Sequence, residues 1–323
     1  MYRSIMVPVD GSSFSREAVF HGLRIASRCG ASLRLVRVAV SPIALGGLDG
    51  YAIENESIRQ QRAEALADLY SIANECRSHT TVNVTASLET GPVVDVLVGY
   101  ARRHEVDLIV MRSHVRRGIA RVWFGSVADQ LIKESSIPVL IVRPPSIGTA
   151  LESGFQVKRI LVPLDGSPLA EQSLDSAVSV ARTDGSALML LRVVTPERRE
   201  AGVLESDIGP ASAAEVAAAM AYLDSLLTSA EYRSIPVTRR VVVANDVAPA
   251  ILSLAETSET DLVAIATRGR NAIARAAGGS VADVVMRESA TSVLVVHPLK
   301  LVLEATAKAA AAHAATPLMA PAW

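Results

Sequence analysis

The sequence predicts an α/β protein made of two copies of one parallel-sheet unit, and three observations carry the prediction. First, the chain matches itself. Ile5-Met-Val-Pro-Val-Asp-Gly-Ser12 returns as Ile160-Leu-Val-Pro-Leu-Asp-Gly-Ser167 and stays in register to Arg37-Val38 and Arg192-Val193, and Glu105 to Val142 matches Glu259 to Val296. Second, short β-branched runs alternate with longer helical patterns in each copy, an order that requires parallel strands joined by crossover helices. Third, half of the 323 residues are hydrophobic yet only 4% are aromatic. Val, Ile, Leu and Ala must therefore build the core, as in a buried parallel sheet under Ala-rich helices.

In the first copy, strands are expected at about 3–9, 32–40, 81–88, 107–112 and 138–143, with helices at about 13–29, 54–77, 92–104 and 125–135. The opening strand is the short apolar run Ile5–Val9, and Asp10-Gly11-Ser12 turns it into the first helix. Helix 54–77 places Ile58, Ala65, Leu66, Leu69 and Ile72 at helical spacing, which predicts a single buried stripe. Leu108-Ile-Val-Met111 is apolar without alternation, the pattern of a central strand covered on both faces. Arg143-Pro144-Pro145-Ser146 stops the last strand, since proline cannot continue the ladder. The second copy repeats the order. The predicted organisation is a first unit at 1–145, a linker at 146–156, a second unit at 157–298 and a C-terminal extension at 299–323, with an Ala-rich helix at 301–315.

Composition excludes several functions. Lys+Arg total 32 against Asp+Glu 33, a formal net charge of -1, so no global positive field exists to hold nucleic acid or an anionic membrane. Cys29 and Cys76 stand in no C-x-x-C or Cys/His cluster, which argues against zinc and against a disulfide framework. The N-terminus lacks the pattern of a secretory leader, and no run of about eighteen apolar residues is present to span a bilayer. A cytoplasmic location is expected.

Ligands of open parallel sheets bind beyond the carboxyl ends of the strands, where strand order reverses. Three segments of each copy should converge there. The first is Val9-Asp10-Gly11-Ser12 and its twin Leu164-Asp165-Gly166-Ser167, in which Asp can accept from ribose hydroxyls or amino groups, or in which Asp or Ser merely caps the next helix. The second follows the fourth strand. In the second copy it runs Ala266-Thr267-Arg268-Gly269-Arg270 to Gly278-Gly279-Ser280-Val281, with Gly269 free to take unusual backbone angles and Gly279-Ser280 leaving amides free for an anion at a helix start. Arg268, Arg270 and Arg275 add charge, and the whole reads either as a phosphate cradle or as a solvated basic loop. The first copy keeps Gly125-Ser126 but has Arg112 and Val115 in place of Ala266 and Gly269. The third segment closes the second strand at Val38 and Val193, and reads either as a backbone that can meet a base edge or as plain core.

No G-x-x-x-x-G-K-[ST], G-x-G-x-x-G or G-x-S-x-G pattern is present, which gives no support to a P-loop hydrolase, ordinary dinucleotide binding or a hydrolase triad. His114 is the only histidine in a crevice loop, and no residue stands out as a general base.

These segments resemble the universal stress protein family, and the chain is similar to a tandem member over about residues 2–143 and 157–297. The marks are the opening strands with Pro and Asp-Gly-Ser, Asp107-Leu-Ile-Val110 and Asp261-Leu-Val-Ala264, the Gly-Ser-Val-Ala-Asp runs at 125–129 and 279–283, and the closing strands ending at Val142 and Val296. The resemblance implies Rossmann-like domains of the adenine nucleotide alpha hydrolase-like kind, each a five-stranded parallel sheet of order 3-2-1-4-5 flanked by helices. It also implies Gly-x2-Gly-x9-Gly-(Ser/Thr) after the fourth strand of ATP-binding members. Here the second copy matches at Gly269, Gly279 and Ser280, and the first only at Gly125 and Ser126.

The resemblance therefore implies ATP or a related adenine nucleotide, with or without Mg, held mainly by the second copy through Asp165, Gly166, Ser167, Val193, Thr267, Gly269, Arg270, Gly279, Ser280 and Val281. Asp10, Val38, Gly125 and Ser126 are the counterparts in the first copy. Hydrolysis is expected to be slow at most. The expected partners are the nucleotide and regulatory proteins, with the last strands pairing the two copies within one chain and a homodimer as a further association. The alternative is an interaction scaffold that has lost nucleotide in both copies.

Overall fold

Alternation along the first strand already separates the two faces of the fold. In a computed structural model of the chain, Ile5 and Val7 of β1 (Ser4–Pro8) enter one hydrophobic cluster and Met6 enters another, all three fully buried. The structure describes residues 1–39, 56–112, 126–143, 156–196, 212–228, 232, 234–267 and 280–297.

The first half comprises β1, α1 (Ser13–Cys29), β2 (Ser32–Ala39), α2 (Glu56–Ser78), β3 (Val84–Thr90), α3 (Val93–Arg103), β4 (Leu108–Arg112), α4 (Ser126–Glu134) and β5 (Val139–Val142). The second half repeats it as β6 (Arg159–Pro163), α5 (Pro168–Asp184), β7 (Ala187–Val194), α6 (Ala213–Leu226), β8 (Val237–Val243), α7 (Val247–Thr257), β9 (Leu262–Ala266), α8 (Val281–Glu288) and β10 (Ser292–Val296). Among the described residues the strands form one sheet in the order β3-β2-β1-β4-β5-β10-β9-β6-β7-β8. Each half therefore has the order 3-2-1-4-5, and the fold is a parallel-rich α/β sheet as expected. Leu23 of α1, Leu69 of α2, Leu174 of α5 and Leu223 of α6 cover one face, while Leu97 of α3, Leu131 of α4, Ile251 of α7 and Val285 of α8 cover the other.

The halves meet where β5 and β10 run antiparallel, with Val139 opposite Val295, Leu140 opposite Leu294 and Ile141 opposite Val293. Every other pairing in the sheet is parallel. The six junction residues are buried, so the pairing covers two apolar edges that would otherwise template association. It also makes the strands of the two halves point in opposite directions.

Local chemistry fixes the helix that follows each opening strand. Ser12 caps α1 by accepting from Ser15 N at 3.2 Å, and Ser167 caps α5 by accepting from Ala170 N at 3.2 Å, with Pro168 in the first turn. Gly30 and Gly185 close these helices in the left-handed conformation.

One expectation needs correction. The stripe of α2 is not buried along its whole length: Leu69 and Ile72 are buried together with Ala73 and Cys76, whereas Ile58, Ala65 and Leu66 are half-exposed. The reason is that the first turns of α2 overhang a crevice instead of the sheet, and Ile58 and Ala65 form part of its wall. The linker beyond Arg143, up to residue 155, and the extension 299–323 lie outside the described residues.

Candidate functional site

Each half has a crevice at the carboxyl ends of its strands. The front crevice, about 810 Å³, lies between Asp10 after β1, Arg37–Ala39 of β2, Met111–Arg112 of β4, the first turn of α1 and the wall from α2. The rear crevice, about 530 Å³, lies between Asp165 after β6, Leu191–Val193 of β7, Ile265–Thr267 at the end of β9 and Ser280–Ala282 at the start of α8. Both fall within the size range of small-molecule sites.

The rear crevice brings together Asp165, Ser167, Val193, Thr267, Ser280 and Val281. Asp165 Oδ1 accepts from Ser167 N at 2.9 Å and from Ser167 Oγ at 2.5 Å, so this carboxylate is held rigidly at the β6 end. Gly166 takes φ +83°, a conformation that L side chains rarely adopt, and this lets the chain turn directly from strand to helix. Thr267 is buried and donates its amide to Val296 O at 3.0 Å. Ser280 caps α8 by accepting from Asp283 N at 3.2 Å. The α8 N-terminus thus opens on the crevice, with its positive dipole end available to an anion. Gly269, Arg270 and Gly279 lie outside the described residues.

In the front crevice Asp10 repeats the arrangement, its Oδ1 accepting from Ser12 N at 2.9 Å and Ser12 Oγ at 2.6 Å. Burial pushes the Asp10 carboxyl up, but the hydrogen bonds from Ser12 and Ser15 outweigh it and hold the group below its ordinary value. Val38 lines the cavity. Ser126 begins α4 but is not part of the cavity wall, where its neighbour Val127 stands; Gly125 lies outside the described residues.

The arginines distinguish the two sites. Arg112 ion-pairs with Glu17 of α1, its guanidinium carbon lies 5.2 Å from the centre of the Phe14 ring, and its side chain is only 9% exposed. Arg37 reaches Asp68 of α2 at 3.2 Å, and Arg16 reaches the same carboxylate at 2.5 Å. Arg192, the counterpart of Arg37, instead donates to Leu164 O at 3.3 Å.

Sequence reasoning missed Phe14, Glu17 and the α2 residues Ile58, Gln61 and Arg62. Their signal was weak, because a helix stripe looks the same whether it faces a sheet or a cavity. Among the described residues no group of three or more His, Cys, Asp or Glu is placed to hold a metal ion, and no helix is long and apolar enough to cross a membrane. His21 is pushed down to about 4 by burial and by the nearby Arg112 and Arg24, so it is neutral near pH 7.

Comparison with known proteins agrees with this architecture. The chain is 31% identical over 147 residues to a universal stress protein of Methanocaldococcus jannaschii, covering 45% of this chain and 84% of that one. It is 26% identical over 299 residues to a universal stress protein of Mycolicibacterium smegmatis, covering 91% and 97% respectively. The crystal structure of a universal stress protein from Archaeoglobus fulgidus superimposes with a TM-score of 0.67 at 18% identity, over 91% of this chain and 98% of that one, a likeness of fold. The model of the universal stress protein family matches twice, at residues 1–143 and 156–297. The chain therefore belongs to the universal stress protein family, with the family's unit present in tandem.

Proposed function

We propose that the chain is a cytoplasmic, nucleotide-responsive regulator that binds ATP or a related adenine nucleotide in the rear crevice and changes its interactions with partner proteins when occupied. The observation that carries this reading is the convergence of Asp165, Val193, Thr267, Ser280 and Val281 on one cavity that the α8 N-terminus faces. Asp165 is the acceptor for ribose hydroxyls. The end of β7 at Val193 supplies main-chain groups for a base edge, and the start of α8 takes a phosphate. The sequence adds Gly269, Arg270 and Gly279, which give the intervening loop bare amides and positive charge. In this reading the units are 1–145 and 157–298.

Equilibrium binding of labelled ATP to the wild type and to Gly279→Val and Asp165→Ala tests the assignment. Binding to the wild type that falls at least about tenfold in both variants is expected, a loss of about 1.4 kcal/mol or more. Equal binding by all three would refute it.

A scaffold without nucleotide is the second reading. The Arg112–Glu17 pair favours it for the front half only, since Glu17 occupies the guanidinium at the β4 end that a phosphate would otherwise meet.

A further inference from the structure

On the reading of the rear crevice as a nucleotide site, on which this inference rests, we propose that Arg192 is the cation that meets the ligand's phosphate there. Tyr222 of α6 is then the positioning residue that keeps this arginine available.

The two halves differ in the partners of their second strands. In the front half Arg16 of α1, Asp68 of α2 and Arg37 of β2 form one cluster, in which the Asp68 carboxylate receives Arg16 at 2.5 Å and Arg37 at 3.2 Å. The repeat register that matches Ile5 with Ile160 puts Glu171 in the place of Arg16 and Arg192 in the place of Arg37. Leu69 and Leu223, both fully buried in one hydrophobic cluster, align α2 with α6 and put Tyr222 in the place of Asp68. The contacts agree with this alignment. Tyr222 Oη donates to Glu171 Oε1 at 2.9 Å, as Asp68 binds Arg16 in front. The carboxylate that holds the strand arginine in the front half is thus a phenol in the rear half.

This exchange leaves Arg192 in a different state from Arg37. Arg192 lines the rear cavity, where its Nη1 donates to the neutral carbonyl of Leu164 at 3.3 Å, and among the described residues it makes no ion pair. Burial and the hydrogen bond to Glu171 push the Tyr222 phenol up, so the hydroxyl is neutral near pH 7 and gives Arg192 no counter-charge. Asp165 lines the same cavity, but its Oδ1 is taken by Ser167 N and Ser167 Oγ. Arg37 lines the front cavity with its charge already matched by Asp68. A guanidinium without an acid can give a phosphate two parallel charge-assisted hydrogen bonds, whereas an ion-paired one must first release its carboxylate. Arg192 and Ser280 line one cavity of about 530 Å³, so a single nucleotide can meet both.

Calorimetric titration of the full chain with ATP and with adenosine separates charge from shape. Arg192→Gln should weaken ATP at least about tenfold and leave adenosine within about twofold of the wild type. The double variant Glu171→Arg with Tyr222→Asp transplants the front cluster into the rear half, and should weaken ATP by a similar factor with adenosine again unchanged. Arg192→Lys, which keeps the charge, should bind ATP at least about threefold more tightly than Arg192→Gln, and this comparison decides if adenosine binds too weakly to titrate. Neither Arg192 nor Tyr222 is fully buried, and circular dichroism checks that each variant is folded. Should the double variant prove unfolded, Tyr222→Asp alone takes its place. Undiminished ATP binding in folded Arg192→Gln or in the folded transplant, an equal loss of adenosine, or a Lys variant no better than Gln would each overturn the proposal. A wild type that binds ATP keeps the nucleotide reading intact in all of these cases. If the wild type binds no ATP, that reading fails and inorganic tripolyphosphate tests the arginine by itself. Tripolyphosphate binding that falls at least about tenfold in Arg192→Gln upholds Arg192 as the anion contact, and absent or unaltered binding overturns it.

Discussion

Arg143 and His297 occupy equivalent positions, each directly after the last strand of its half, yet they meet the junction differently. Arg143 crosses it, its amide donating to Ser292 Oγ at 3.1 Å and its guanidinium to Met286 O at 2.5 Å. His297 is buried as well, and its Nε2 meets no hydrogen-bond partner among the described residues. Burial pushes the His297 imidazole down to about 4, so the folded state holds it neutral.

This gives a pH dependence of definite sign. Between about 4 and the ordinary value of 6.5 the unfolded chain binds the His297 proton and the folded chain does not, so stability is complete above that window and is lost as pH falls through it. His21, also pushed down to about 4, contributes in the same direction. Each is worth on the order of 3 kcal/mol across the window. Thermal unfolding midpoints followed from about pH 7 to about pH 4.5 should fall for the wild type and fall less steeply for His297→Gln. Parallel curves would show that His297 is not a source of the acid sensitivity.

Arg287 of α8 holds Asp283 of its own helix at 3.1 Å and Asp129 of α4 at 3.2 Å across the junction. All three side chains are partly exposed, so solvent screens the contact and Arg287→Ala should cost only about 0.5–1 kcal/mol. A double-mutant cycle with Asp129→Ala in urea isolates the cross-junction share, which should shrink further at high salt.

The apolar pairing of the two strands, on the face of the sheet away from that ion pair, is worth much more. Leu140 and Leu294 are register partners in β5 and β10 and are almost fully buried. Leu294→Ala should destabilise the chain by about 2–5 kcal/mol in denaturant unfolding, several times the effect of Arg287→Ala.

Gly11 and Gly166 separate two effects of a methyl group. Both have φ near +85°, at +86° and +83°. A Cβ on Gly11 would lie 2.9 Å from Arg37 Nη2, whereas one on Gly166 would lie 4.0 Å from Arg192 Nη1. Each Ala variant should lose about 1–2 kcal/mol to backbone strain. Gly11→Ala should also loosen the Arg37–Asp68 pair, read as a larger deficit that Arg37→Ala removes in a cycle.

Much of this fold was legible before any coordinates, because hydrophobic period and self-similarity are properties of neighbouring residues. The first helix was expected at 13–29 and spans those residues, and the pairing expected between the last strands of the two copies joins Val139–Ile141 to Val293–Val295. The convergence of Asp165, Val193 and Ser280 followed from the rule that places ligands beyond strand ends. The Arg112–Glu17 pair was not legible, since it links the end of β4 to α1 across most of the first half, and only tertiary placement decides which acid an arginine meets. The size of the front crevice was hidden for a related reason. It depends on where the first turns of α2 come to rest, and the two copies differ most in that middle region.

The reversal of strand direction at β5 and β10 has a geometric result. With strand ends facing opposite ways, the two cavities open on opposite rims of one continuous sheet. Whatever occupies one rim therefore leaves the other sterically open.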